Sequence, residues 1–459
     1  MASGLAIVKP RSVVPDVDVV VVGGGMSGLA AADALTDEGL TVHVIEGAPG
    51  VGGLCRSVSV GGEDVEAYYH HIFPQDRELR DLVDRLGMSG ALEWRQAPMG
   101  VLEAGRVYPF NSLINLLNFK PLPFVGRLRL GLGSAMALLS VRGQPLDRVS
   151  VSEASSRWFG RKGHAVLWQP LLDGKFGPFA PDVAAPWLVS RIRQRANARK
   201  SGTGDRLGYL RGGMGTLARA YERELVGRGV RVSCGARVSS LRREGELWRL
   251  TYGGREVSGR AVVACLSGEV LAGLCELPTA YLERIEAIPY RGIVCALLEL
   301  DRPLGRYYWL NLIQKTDLAC LAVIEHTNFI PAERYGGRHL VYLPHYVEVG
   351  SAAWNADLDE IVTSVEGALR VINPAFERSW IVGSHLSRDR WAQPVPLVGG
   401  PMPGLPIQTG LPGLYHASLA HIYPDDRGVS LALRLGQRAA SETVHWLRET
   451  RPRAGRAGE

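Results

Sequence analysis

Cysteine is scarce in this chain. Six occur in 459 residues, Cys55, Cys234, Cys265, Cys275, Cys295 and Cys320, with no Cys-x-x-Cys pair. That excludes zinc-ribbon spacing and the disulfide frameworks of small secreted domains. Several sit in apolar runs such as AVVACLSG and GIVCALLEL, where a thiol packs as a small hydrophobe. Free thiols in a reducing, cytoplasmic compartment are expected, and no metal site. Long apolar runs are missing too. Nothing approaches the ~18 consecutive apolar residues of a spanning helix, so no transmembrane segment is expected. The opening MASGLAIVKPRSVVP has neither the apolar core nor the cleavage site of a signal peptide. No block of like charge appears. The 52 Lys and Arg against 46 Asp and Glu leave a net +6. The arginines are scattered, so nucleic acid is not an expected partner. The excess suits an anionic small molecule better. No internal repeat is visible.

What is present is a globular composition, 46% hydrophobic and 21% charged, on a chain too long for one ordinary core. Two interleaved domains are expected. The most informative stretch is VDVVVVGGGMSGLAAADALTDEGLTVHVIE, from Val17 to Glu46. Val17 to Val22 is a β-branched run of the kind a doubly buried parallel strand shows. Ser27 to Glu38 reads as a helix and Thr41 to Ile45 as the next strand. Between them, Gly23 permits the tight turn and Gly25 lets the backbone approach a pyrophosphate. Gly28 allows close helix–sheet packing. The helix opening at Met26 and Ser27 points its N-terminus at that anion. Glu46, closing the second strand, receives the ribose hydroxyls of a dinucleotide.

Gly52-Gly53-Leu54-Cys55-Arg56-Ser57 follows. It resembles the second glycine pair of the FAD-binding amine oxidase, protoporphyrinogen oxidase and phytoene desaturase superfamily. That resemblance implies FAD: the segment crosses beside the diphosphate, with Leu54 against the cofactor and Arg56 adding positive charge. GGMGTLARAYERELVGRGVRVSCGARVSSL is similar to a further family segment, in which Val238 touches adenine through its backbone. AVVACLSGEVL and PGLYHASLAHIYPDDRGVSLALRLGQRAA continue the likeness, and the last helix faces the flavin. One departure stands out. The family's Gly-Asp is replaced here by Ala417-Ser418-Leu419. Asp425, Asp426, Arg427 and Gly428, with Val429 and Ser430, are expected to position the cofactor instead. A polar turn capping the last helix is the compatible alternative.

The fold class implied is α/β. A Rossmann-like FAD-binding domain of the glutathione reductase type takes residues 15–95, 205–285 and 395–448. It is interleaved with an α+β substrate domain, 96–204 and 286–394, which has a mixed or antiparallel sheet and a helical insertion. Residues 449–459 are expected to form a disordered tail. The region from about 95 to 205 reads as mostly helical. GIVCALLEL, YYWLNLI, CLAVIEH and HLVYLPHYV read as strands, interrupted by the helix LDEIVTSVEGALRVI.

In EAYYHHIFPQDREL, the resemblance brings Tyr69, His70 and His71 past the flavin ring, for contact or proton transfer; structural loop histidines are the alternative. Tyr308, Trp309 and His345 fall in the second sheet as candidate substrate contacts. Lys175 reads as a solvated loop charge, with a catalytic role the alternative, and Arg191, Arg193 and Arg195 as a solvated face, with a grip on phosphate or carboxylate the alternative. NLLNFKPLPFVGRLRLGLGSAMALLS admits two readings, a surface lying on a membrane or core helices of the substrate domain. No second dinucleotide fingerprint is present for a nicotinamide cofactor. The expected function is an FAD-dependent oxidoreductase of a small metabolite in a specialised biosynthetic pathway, with hydride passing to flavin N5 and electrons to molecular oxygen or another acceptor. Two alternatives stand beside it: a redox-neutral flavoenzyme resembling UDP-galactopyranose mutase, and a non-catalytic flavin-binding protein.

Overall fold

The computed structural model describes residues 14–139, 145–200, 206–313, 318 and 320–450. The first strand, β1 (Val17–Val22), leads through the glycine turn into helix α1 (Met26–Asp37) and then strand β2 (Val42–Ile45). β1 lies at the centre of a sheet. It is parallel to β2 on one side and to the strand Arg255–Ala264 on the other, with Val19 opposite Val42 and Ala261. β2 pairs in parallel with Arg231–Ser233, and Val262 to Ala264 pair in parallel with the short strand Leu414–His416. The hairpin of Val238–Glu244 and Leu247–Tyr252 completes the sheet on the antiparallel side. The five valines of β1 are buried in two clusters, one on each face of the sheet, as a two-sided burial requires, and Asp18 accepts from the N–H and hydroxyl of Thr41 at the edge.

The second sheet runs in the order Ile381–Pro394, Tyr290–Leu300, His339–Val347, Ala322–Glu325, Trp309–Leu312, Met99–Glu103, Arg106–Pro109. Every pairing is antiparallel except Trp309–Leu312 with Met99–Glu103. The hairpin from Met99 to Pro109 corrects the expectation of helix from residue 95 onward. Its turn carries Ala104 at φ 46° and Gly105 at φ 72°. Positive φ at both central positions is the hairpin turn geometry, and Ala-Gly is a weak sequence signal for it. Beyond the hairpin the described residues of the insertion are mostly helical as read, from the helix Leu113–Leu117 to the helix Ala185–Lys200. The helix LDEIVTSVEGALRVI runs over Leu358–Ile372, opened by a reciprocal capping box between Asp357 and Glu360. The last helix, Val429–Glu449, ends where the expected tail begins; residues 451–459 of that tail lie outside the described residues.

Two contacts set the site. Helix Val429–Glu449 crosses α1 so closely that a Cβ on Gly436 would fall 2.1 Å from the carbonyl oxygen of Ser27. Gly436→Val is therefore expected to lower the melting temperature strongly, by about 3 kcal/mol or more of stability. A thermal melt within 2 °C or so of the parent would show that the crossing is loose. The second contact fastens the segment before Tyr68. Glu66 is buried, takes the Tyr209 hydroxyl at 3.0 Å and the Met214 N–H at 3.1 Å, and its carbonyl takes the Tyr342 hydroxyl at 2.7 Å. Burial pushes its carboxyl up to about 7.

Candidate active site

The glycines at the β1–α1 turn do three different jobs. Gly23 has φ 102°, and a Cβ there would lie 2.6 Å from the Cys265 carbonyl oxygen. A Cβ on Gly28 would lie 1.8 Å from the Gly23 carbonyl oxygen, so the helix and the turn touch. Gly25 is open: no protein atom lies within 4 Å of its would-be Cβ, and the residue lines a cavity. The first turn of α1 has no side-chain cap and no acid in it, which leaves N–H groups for an anion. The second glycine pair lies against the first. Gly52 donates its N–H to the Gly24 carbonyl at 2.8 Å, and both Gly52 and Gly53 hold positive φ. Glu46, at the tip of β2, accepts from the N–H groups of Gly24 at 2.6 Å and Ala48 at 2.7 Å.

The cavity measures about 1340 Å³. That exceeds the ~300–1,000 Å³ of common small-molecule pockets and leaves room for a dinucleotide and a second molecule. Gly25, Met26, Ser27, Gly28, Gly52, Gly53 and Leu54 form one wall, and Gly428, Val429 and Ser430 open the last helix onto it. Tyr69, His70, His71, Trp309, Asp425 and Arg427 also line it. Gly23, Glu46, Arg56, Val238, Tyr308 and His345 do not. Gly23 and Glu46 sit directly behind the turn, and Val238 is buried at the start of its strand.

Three of these placements correct the sequence reading. The Arg56 guanidinium turns away from the glycines. It donates to the Tyr68 hydroxyl and to the Arg388 carbonyl, and stands 3.5 Å from Asp389. Arg56→Ala is thus expected to change flavin affinity by less than about threefold, since surface-type substitutions stay within ~0.5 kcal/mol. A loss of a hundredfold in a flavin titration would restore the phosphate role. Tyr308 and His345 are buried and do not line the cavity. His345 neighbours Tyr346 on its strand, and successive strand residues face opposite sides, so Tyr346 meets the cavity and His345 the core. Tyr308 stands just before its strand and packs into the core beside Trp309 and Phe329. Tyr308 reaches the site only through its hydroxyl, 3.2 Å from His71 Nδ1.

The two histidines are half-buried on the cavity wall. Burial pushes His70 down to about 4 and His71 down to about 3, with Arg195 and Arg191 adding to the effect on His71. This corrects the expectation of a near-neutral acid–base histidine. His70 Nδ1 lies 2.6 Å from the Tyr68 carbonyl, which only accepts, so Nδ1 carries the proton. Tyr69 packs edge-on to Trp309 at 5.0 Å and its hydroxyl lies 3.1 Å from that of Tyr346, which accepts from Arg427.

Lys175 is the largest surprise. It is not a solvated loop charge but a buried residue in the helix Gln169–Phe176, lining the cavity. Its ammonium lies 2.5 Å from Asp426 Oδ2 and 5.3 Å from the centre of the Trp187 ring. Burial drives Lys175 down to about 8, with Arg191 and Arg427 assisting and Asp426 opposing. Burial would raise Asp426, but Lys175 and Arg191 outweigh it and hold the carboxyl below its usual range. Asp426 Oδ1 is buried with no hydrogen-bond partner. Arg191, 3.4 Å from the same carboxylate, lines the cavity along with Arg193 and Arg195, so these arginines are not a solvated face. The signal available in the sequence was LLDGKFGPF: a lysine in an apolar helix has to find an acid if it is buried.

The flavin-containing amine oxidoreductase family model matches residues 26–443. Putrescine oxidase of Kocuria rosea is 43% identical over 79 residues, an alignment covering 17% of this chain and 16% of that protein. Among solved structures, cyclohexylamine oxidase from Brevibacterium oxydans superposes with a TM-score of 0.69 at 17% identity, covering 95% of this chain and 100% of the other. Reduced UDP-galactopyranose mutase superposes with a TM-score of 0.72 at 16% identity, covering 94% and 96%. At these identities the structural likeness is one of fold.

Proposed function

The chain belongs to the flavin-containing amine oxidoreductase family, and from that premise we propose that it is an FAD-dependent oxidoreductase acting on a small molecule in the cavity described. The observation that carries this reading is the pairing of two walls. One is a glycine wall, open at Gly25 and facing an uncapped helix N-terminus, where a diphosphate fits. The other is a wall of Tyr69, Trp309, Tyr346 and the Lys175–Asp426 pair, where a substrate fits. When bound, FAD would supply the hydride acceptor for substrate oxidation, and the two electrons would pass on to molecular oxygen or another acceptor.

The chain's own side chains do the rest. The absence of a side chain at Gly25 leaves room for the diphosphate, and the first turn of α1 offers it N–H donors. Trp309, Tyr346 and Trp187 exclude water from the substrate end. Asp426 Oδ1, lacking a partner, accepts a hydrogen bond from an N–H or O–H of the substrate. Lys175, once neutral, accepts the proton that an amine or alcohol must lose before oxidation. His70, protonated on Nδ1, presents Nε2 as an acceptor.

A redox-neutral reaction on a sugar nucleotide is the second reading, favoured by Arg191, Arg193 and Arg195 on the cavity wall, where guanidinium groups suit a diphosphate. One experiment separates the two. The purified protein is scanned for flavin absorbance, heated, and the released cofactor identified as FAD or FMN. Candidate amines, alcohols and sugar nucleotides are then added without air. Bleaching by an amine or alcohol is the expected result. Turnover of sugar nucleotides only after chemical reduction would move the assignment to the second reading. A colourless protein that FAD cannot reconstitute would overturn both.

A further inference from the structure

Two tyrosines on the cavity wall hold one hydroxyl proton more than the protein accepts. Tyr69 is half-buried there, and Tyr346 is buried in the strand His339–Val347 with its side chain on the same wall. Their hydroxyl oxygens lie 3.1 Å apart, so one hydroxyl donates to the other. Arg427 donates to the Tyr346 hydroxyl and stands within hydrogen-bonding reach of that of Tyr69. A guanidinium only donates. The pair therefore carries two hydroxyl protons, uses one between its members, and receives further donors from Arg427. Among the described residues no carboxylate or carbonyl takes the second proton. The geometry also says which hydroxyl is left over. Arg427 occupies the Tyr346 oxygen and polarises its O–H, which makes Tyr346 the donor within the pair. Tyr69, the more open of the two, is the terminal hydroxyl, and it donates into the cavity.

The surroundings say what that donor suits. Cations flank the Tyr346 ring, with the Arg427 guanidinium 5.2 Å and the Lys175 ammonium 5.8 Å from its centre. Asp426 takes Lys175 at 2.5 Å and Arg191 at 3.4 Å, and Asp425 takes the Ser190 hydroxyl. At this end of the cavity Lys175, Arg191 and Arg427 thus outnumber the carboxylates of Asp425 and Asp426. The Trp309 ring, edge-on at 5.0 Å, fixes the phenol of Tyr69 in place. A surplus donor in a cation-rich pocket calls for an acceptor oxygen, and an anionic oxygen makes the stronger bond. A ligand that fills the pocket without such an oxygen leaves the hydroxyl unpaired, which is costly in a desolvated site.

We propose that Tyr69 and Tyr346, with Arg427 as their positioning residue, form a donor site for a carboxylate of the substrate. This rests on the reading of the cavity as a substrate site, so the test measures binding rather than turnover. Benzoate is the probe. Aniline, the same ring without an acceptor oxygen, is the control, and neither carries a C–H that a flavin oxidises. Each is titrated by calorimetry into the purified full chain. Benzoate is expected to bind the parent more tightly than aniline. Tyr69→Phe should weaken benzoate by about tenfold or more and leave aniline within about twofold. Arg427→Met should weaken benzoate by about tenfold, and Arg427→Lys should restore most of it. Tyr69→Phe keeps the bond between Arg427 and Tyr346, so it carries the test if Arg427→Met melts early. A parent that binds benzoate no better than aniline would overturn the proposal, as would a Tyr69→Phe protein that keeps benzoate in full. A Tyr69→Phe protein that loses flavin affinity but not benzoate would give the donor to the cofactor and overturn it too. Benzoate binding that depends on Tyr69, in a protein whose flavin no amine or alcohol bleaches, would uphold the donor site and overturn only the oxidoreductase reading.

Discussion

Gly25→Ala is expected to separate folding from cofactor binding. The residue holds φ −70° and ψ 176°, a conformation alanine adopts without strain. No protein atom lies within 4 Å of the added carbon. The variant should fold, with stability within about 0.5 kcal/mol of the parent. The added methyl sits where the cofactor backbone has to pass, and flavin affinity should fall by about tenfold or more, equivalent to ~1.4 kcal/mol. Gly28→Ala, three residues on, should behave in the opposite way. Its Cβ would lie 1.8 Å from a carbonyl oxygen, so the turn itself must deform. Stability and flavin binding should fall together, by about 3 kcal/mol or more in stability. Melting curves and flavin titrations of the two variants decide the matter. A Gly25→Ala protein that binds FAD like the parent would move the diphosphate away from this turn.

Lys175→Met carries the second large effect. It leaves the Asp426 carboxylate buried without its nearest cation, a change that costs about 3–5 kcal/mol in buried pairs. Arg191, 3.4 Å away, supplies part of the missing charge, so the lower end of that range is expected. The pH dependence gives a more specific test. Folding lowers Lys175 from its ordinary 10.5 to about 8. Between these values the unfolded chain binds a proton that the folded chain has released, so stability rises with pH in that window and the gain is lost as pH falls through about 8. Relative to Lys175→Met, the parent should therefore gain about 2 kcal/mol between pH 8 and about 9.5. Comparing the two proteins cancels the titration of groups they share. Turnover of the parent should also rise through about pH 8, as neutral Nζ acquires a lone pair, and Lys175→Met should lose that rise. A parent and variant whose stabilities stay parallel from pH 7 to about 9.5 would show that Lys175 is not desolvated in solution.

The glycine wall was legible from residues because its constraint is local. A tight turn, a close crossing and an uncapped helix start each exclude side chains at fixed spacing, and Gly23, Gly25 and Gly28 write that out within six positions. Helix Leu358–Ile372 was equally legible, since its cap and its apolar period lie in one continuous segment. The hairpin at Met99–Pro109 was not, because Ala104-Gly105 lacks the residues that favour positive φ at both turn positions. His345 was misplaced by a single residue, its strand neighbour Tyr346 being the one on the cavity wall, and Tyr308 packs in the core just before its strand begins. Composition marks a strand as aromatic, but only register against its neighbours says which side of the pleat faces the cavity.

The sequence by itself determined the nucleotide-binding turn and the alternation of the two sheets through the chain. Tertiary structure alone decided three things. It buried Lys175 against Asp426, 251 positions apart, and so turned an expected loop charge into a desolvated ammonium pushed down to about 8. It swung Arg56 toward Arg388 and Asp389 and away from the turn it was expected to serve. It left an apolar stripe from Phe124 to Leu139 facing outward. The division has a physical reason. Backbone conformation depends on near neighbours, whereas desolvation and charge pairing depend on whatever the fold brings close, which no local stretch of sequence encodes.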